Sequence, residues 1–304
     1  MKRILPAIVG IGFTKVLNHA IMTGNIFTEM AYTKLISQHT AGASVERIPT
    51  GSTEGGYRLS LPAGPPCQYR LAQLDDYAKI PRSRFPLQPP SSLSLSARAS
   101  SVSLPGTWGF GFWNYPFGMS LGFSEGGFRL PTLPNAVWFF SASEENYLSF
   151  KDASTAPPNN GGAAQRGEAA NVFLAQAFRA PGFHPLLIAA GLALPFSRKT
   201  TRRRLGRIIS EDGVRLDVDV TQWHRYRLDW REDRVSFDVD EALMFESPVS
   251  PRPPLGLVIW IDNQYAAFTP EGKIGFGVLE NPEPAWLEIK DIEMAANSAR
   301  SNPP

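Results

Sequence analysis

Cysteine is nearly missing from these 304 residues: Cys67 stands alone, which excludes an intrachain disulfide and a cysteine-rich zinc site. Histidine is almost as scarce, and His19, His39, His184 and His224 are scattered without ligand spacing, so no metal and no other cofactor is expected. No apolar run reaches the roughly 18 residues that a spanning helix needs. A surplus of one charge sign is lacking too. With 30 Lys+Arg against 28 Asp+Glu the net charge is +2, so the overall field selects no nucleic acid or other polyanion. Self-similarity at a period of about 20 to 50 residues is absent, which removes solenoids and propellers. No phosphate-binding glycine motif follows a strand.

What is present is a globular composition, 43% hydrophobic and 11% aromatic, punctuated by 26 glycines and 27 prolines. Short aromatic runs between turn residues read as an all-β sandwich or barrel. Gly56–Leu61, Cys67–Gln73 and Ser92–Arg98 are strand-like, the last two with apolar residues at every second position. Residues 82–90 are proline-rich and read as a loop. The aromatic block Thr107–Phe117, then Asn135–Ser143 and Asn146–Phe150, are expected to be central strands, with Gly109 and Gly111 letting large rings lie over flat backbone. Residues 153–169 are expected to form a surface loop, and Val172–Phe178 a further strand.

The ends carry weaker signals. Residues 1–13 have the outline of a secretory signal, interrupted by Pro6 and without a clear cleavage site, and Met30 could serve as an alternative start. The expected organisation is an N-terminal extension at 1–40, one sandwich at 41–296 with a helical insertion at 182–211, and a disordered tail at 297–304. In the insertion, Pro185–Leu194 favours helix and Arg198–Ile209 is a second, basic helix. The expected location is cytoplasmic or peripheral to a membrane.

The clearest stretch is C-terminal. Trp223–Trp230 alternates, turns at 231–234 into Val235–Val239, and turns again at Asp240–Glu241 into Leu243–Glu246, a β-meander. Leu255–Ile261 is apolar throughout and Ala285–Met294 closes the unit. The Trp223-His-x-Tyr-x-x-x-Trp230 strand, the Val235-x-Phe-x-Val-Asp240 hairpin and Trp286-Leu-Glu-Ile-Lys-Asp-Ile292 together resemble the second half of the concanavalin A-like lectin/glucanase fold. The version they are most similar to is that of family-16 glycoside hydrolases. The resemblance implies a jelly-roll β-sandwich of two antiparallel sheets and an ancestry among β-glucanases.

Enzymes of that family carry Glu-x-Asp-x-(x)-Glu on one strand, with two carboxyl groups about 5 to 5.5 Å apart across the scissile bond in a retaining mechanism. The corresponding region here is Ser143–Asp152, where Glu144 and Glu145 are adjacent and point to opposite faces. The pair is lost on this reading, and no catalytic residue is assigned. Glu145 is kept as a sugar contact against the plainer reading of an exposed turn carboxylate. Asp262, Asn263, Gln264 and Tyr265 gather after Trp260 where a strand meets a loop, the setting for hydrogen bonds beside a flat ring, or simply for a turn. Of Trp108, Phe110, Phe112, Trp113 and Trp138, one or two are expected to line a cleft and the rest to be core.

Three functions remain. The first is a non-catalytic module that binds a saccharide or an apolar small molecule through Trp108, Trp113, Trp138, Glu145, Trp260, Asp262, Asn263 and Tyr265. The second is an active glycoside hydrolase with relocated carboxylates. The third is contact with an anionic membrane surface through Arg202, Arg203 and Arg204 of the insertion. Nucleic acid is not an expected partner, because no aromatics interleave with those arginines.

Overall fold

The computed structural model describes residues 35–49, 55–116, 132–150, 172–181 and 198–296. They build two seven-stranded sheets and a separate hairpin. The front sheet has the order β1 (Ile36–His39), β4 (Leu71–Asp75), β13 (Gly256–Asp262), β6 (Thr107–Trp113), β7 (Ala136–Ala142), β8 (Val172–Arg179), β9 (Ser210–Arg215). The back sheet runs β12 (Ala242–Ser247), β11 (Val235–Val239), β10 (His224–Trp230), β5 (Ser91–Ala99), β16 (Ala285–Ala296), β3 (Gly56–Leu61), β2 (Ser44–Ile48). The hairpin is β14 (Gln264–Phe268) with β15 (Ile274–Val278). Every pairing within the sheets is antiparallel. This is an all-β jelly-roll sandwich.

Strand alternation explains how the layers stick. Leu93, Leu95 and Ala97 of β5, Tyr226, Leu228 and Trp230 of β10, and Leu287 and Ile289 of β16 face inward from the back sheet. Trp108, Phe110 and Phe112 of β6, Phe139 of β7, Phe173 of β8 and Leu257, Ile259 and Ile261 of β13 meet them from the front. The front strands are apolar on their other side as well. That outer face carries a second cluster, with Trp113, Trp138, Phe140, Phe178, Val258 and Trp260, and so β7 and β13 are buried at every position.

The C-terminal meander, the buried strand at 256–262 and the closing strand fall where the alternation puts them. Other boundaries move. β1 belongs to the front sheet, paired with β4, so the sandwich begins before residue 41. The insertion ends earlier than the expected 211: the one α-helix among the described residues, α1 (Arg198–Ile208), gives way at Ser210 to β9, which completes the front sheet. The helix expected at 185–194 lies outside the described residues, as do the loop at 153–169, the tail at 297–304 and the signal-like start. Asn146–Phe150 is not a strand; only Tyr147 bridges to Ala267. No helix among the described residues is long and apolar enough to cross a membrane.

Candidate ligand cleft on the front sheet

The outer face of the front sheet is built from alternate residues of neighbouring strands in register. Trp260 of β13 lies opposite Gln73 of β4 on one side and Gly109 of β6 on the other, and Gly109 lies opposite Phe140 of β7. One row along, Gly111 stands between Val258 and Trp138. A Cβ at Gly109 would meet the Phe139 carbonyl at 2.4 Å and the Trp260 ring at 2.9 Å; glycine is what lets the indole cross the strand. The indoles of Trp113, Trp138 and Trp260 therefore converge, with centroids 5.7 to 6.0 Å apart, Trp113 and Trp260 being nearly parallel.

Together with Tyr69, Leu71, Gln73 and Thr107 these rings line a cleft of about 140 Å³. Asp262, Gln264 and Tyr265 close it from the end of β13 and the start of the hairpin, and Phe276 of β15 stands at its rim, 55% exposed. Asp262 Oδ1 accepts from the Thr107 hydroxyl at 2.7 Å and its backbone N–H at 3.2 Å, and Tyr69 bonds the same carboxyl. Burial still outweighs these bonds and pushes the Asp262 carboxyl up to about 7. Burial likewise holds the Tyr69 phenol well above its ordinary range. At the other end, Gln73 donates to Asp75 Oδ2 at 2.8 Å, and Trp113 to the Tyr77 hydroxyl at 2.6 Å.

Trp113, Trp138, Trp260, Asp262 and Tyr265 are thus brought together, and four expected contacts are not. Trp108 points the other way, into the inter-sheet core against Phe173, because it is one residue out of phase with Trp113 and the outer glycines. Asn263 is fully buried and spent on the backbone: its Oδ1 accepts from Arg70 N–H, and its Nδ2 donates to the Gln68 and Leu279 carbonyls. Glu145 sits exposed on the turn after β7, outside the cleft lining. Arg202, placed at a membrane by the sequence reading, is 2% exposed. It donates to the Phe268 and Ser149 carbonyls, tying α1 to the hairpin. Arg203 and Arg204 are exposed on α1.

Sequence reasoning did not single out Tyr69, Gln73, Thr107, Phe140 or Phe276. Gln73 shares the alternation of Leu71, but its place opposite Trp260 depends on the pairing of β4 with β13, which lies in neither strand's own sequence.

The carboxyl groups of this face that belong to the described strands are Asp75 on β4, Asp262 on β13 and Glu211 on β9. Asp262 pairs with Leu71, so Asp75 is offset by four residues, about 13 Å of strand. Glu211 is four strands from Asp262 and accepts from Phe150 N–H and from Gln176. Among the described residues no group of three His, Cys, Asp or Glu is gathered for a metal ion.

Two antiparallel sheets in this order make a jelly-roll β-sandwich with the aromatic cleft on one outer face. No protein-family model and no curated protein sequence matches the chain. Solved structures similar to it include the following three. A Bacillus licheniformis β-glucanase shares 12% identity over 89% of this chain and 95% of its own, with a TM-score of 0.38. LamAcat from Zobellia galactanivorans shares 12% over 88% and 98%, with a TM-score of 0.40. A sialidase shares 8% over 86% of this chain, at a TM-score of 0.37, and the chain spans 17% of that protein's length. At such identities the likeness is one of fold.

Proposed function

We propose that this protein is a non-catalytic binding module that holds a saccharide in the cleft on the outer face of its front sheet. The observation that carries the reading is the convergence of Trp113, Trp138 and Trp260 with Gln73, Asp262, Gln264 and Tyr265 around one opening. A sugar ring needs both parts, since its C–H face lies on an aromatic surface while its hydroxyls seek hydrogen-bond partners. The glucanase-like structures point the same way in substrate class. The absence of catalysis is supported by the spread of the carboxyl groups. Hydrolysis with retention or inversion needs two of them about 5 to 10 Å apart across the bond, and Asp262 has no such neighbour among the strands described.

The test is a panel of β-glucans and oligosaccharides assayed for binding and for release of reducing ends. Saturable binding that weakens about tenfold or more in Tyr265→Ala and Gln264→Ala, with no new ends, is the expected result. New reducing ends would replace this reading with that of an active glycosidase. Binding of a fatty acid or similar apolar probe, with no glycan bound, would assign the cleft to an apolar ligand.

A further inference from the structure

α1 carries its charge on one side. Leu205 and Ile208 pack against the aromatic cluster of the front sheet, Gly206 lies over the Phe150 carbonyl, and Thr201 and Arg202 are buried. Lys199, Arg203, Arg204 and Arg207 are exposed. Lys199, Arg203 and Arg207 recur every four residues, about 6 Å apart along the axis, and so form one ridge, with Arg204 beside it and exposed Arg198 at its head. Like charges at this spacing repel one another, and the first turn holds Arg198 and Lys199 with no acidic residue, against the helix dipole. Both features work against the helix itself. A merely solvated face is better served by alternating signs, and α1 has no acidic residue at all.

The ridge is held beside exposed apolar side chains. Arg202 donates to the Phe268 and Ser149 carbonyls, both at 2.8 Å, and a Cβ at Gly272, in the turn of the β14–β15 hairpin, would meet the Lys199 backbone nitrogen at 2.8 Å. The start of the helix and the hairpin turn therefore form one unit. On β15, Ile274 and Phe276 are 45% and 55% exposed, and exposed Lys273 precedes them. Ile274 pairs with Phe268, which puts it one strand spacing, about 5 Å, from the residue whose carbonyl holds Arg202. Glu271, at the same turn, is drawn to Lys199 and Lys273, and leaves the arginines of the ridge to face outward.

We infer that this surface, the ridge of α1 together with the exposed side chains of β15, docks on an anionic phospholipid bilayer. The cations meet the headgroup phosphates, and Ile274 and Phe276 enter the interface beside them. The helix has 11 residues, about 16 Å of length, and cannot cross. Its own apolar side is taken up by the sheet, so it lies on the surface and the hairpin supplies the apolar part. Both chemistries in one place favour a bilayer over a soluble polyanion, which offers nothing to Ile274 and Phe276. The docking is independent of what the cleft binds.

The experiment is co-sedimentation of the full chain with vesicles of phosphatidylcholine alone and of phosphatidylcholine with phosphatidylserine. Binding is expected only to the serine-containing vesicles, with release by about 0.5 M salt. Each cation at such a surface strengthens binding roughly fivefold, so Lys199→Gln, Arg203→Gln and Arg207→Gln combined should weaken it more than tenfold. Ile274→Ser with Phe276→Ser should weaken it severalfold and leave retention on heparin unchanged. Equal binding to the two kinds of vesicle, no binding to either, or binding untouched by the three glutamines would overturn the inference. So would retention on heparin with vesicle binding indifferent to Ile274→Ser and Phe276→Ser, which would assign the ridge to a soluble polyanion. Thermal melting shows whether each variant is folded; should one fail, the native chain decides through the lipid comparison and the release by salt. Saccharide binding enters none of these outcomes, so the reading of the cleft stands or falls separately.

Discussion

Asp76 shows how a single side chain sets a pH dependence. It follows β4, is 7% exposed, and accepts from Leu257 N–H at 2.9 Å through one oxygen while the other has no partner. Burial, and then the charge of adjacent Asp75, raise its carboxyl from 3.8 to about 7. The folded chain thus binds this proton more tightly than the unfolded one. The associated stability is complete below about pH 4 and is lost as pH rises toward 7, by an amount on the order of 4 kcal/mol. Asp76→Asn, which mimics the protonated group, should match the parent near pH 4.5 and exceed it at pH 8 in urea unfolding; a gap of equal size at both pH values would refute the assignment. Little of this was legible beforehand. Asp262 stood out because it ends an apolar strand beside Trp260, whereas Asp75 and Asp76 look like surface carboxylates until β1 and β13 close over them.

At the scale of the element, β6 decides the shape of the cleft. Its alternation gives one face to Trp108, Phe110 and Phe112 and the other to Thr107, Gly109, Gly111 and Trp113. The glycines leave a trough into which the rings of Trp138 and Trp260 fold from the strands on either side. Gly109→Ala places a methyl 2.4 Å from the Phe139 carbonyl, against backbone rather than a yielding side chain. It should cost about 3 kcal/mol and disturb the tryptophan near-ultraviolet dichroism, whereas the same change at exposed Arg203 of α1 should leave both within error. The alternation and the glycines were readable from the sequence, and so was their purpose. Which face each tryptophan takes was not, because Trp108 and Trp113 differ by five positions and only the partner layer says which phase is inside. The helix is a similar case: the basic run was visible at 198–208, but the recruitment of Arg202 by carbonyls of Ser149 and Phe268 depends on segments far away in the chain.

At the scale of the molecule, the meander β10–β11–β12 and the closing strand were legible because each is joined to its neighbour by a short turn or carries an unbroken alternating pattern. The front sheet was harder, since β4, β13 and β6 come together from distant parts of the chain. β16 has the most to answer for. It is the last strand among the described residues, yet it lies in the interior of the back sheet between β5 and β3, and Glu288 in it sits between Arg58 and Arg98 at 3.0 and 2.8 Å. A chain ending at residue 284 should therefore yield no soluble, cooperatively unfolding protein, as gel filtration and thermal melting would show; a folded product would mean that β3 and β5 can close without it.

The position of that strand also sets a timetable for biosynthesis. Arg98 and Glu288 are 190 positions apart, so the contact between them must wait until residue 288 has left the ribosome. Until then β3 and β5 wait with open edges, and the nascent chain needs either a chaperone or a provisional pairing to keep them from joining a neighbour.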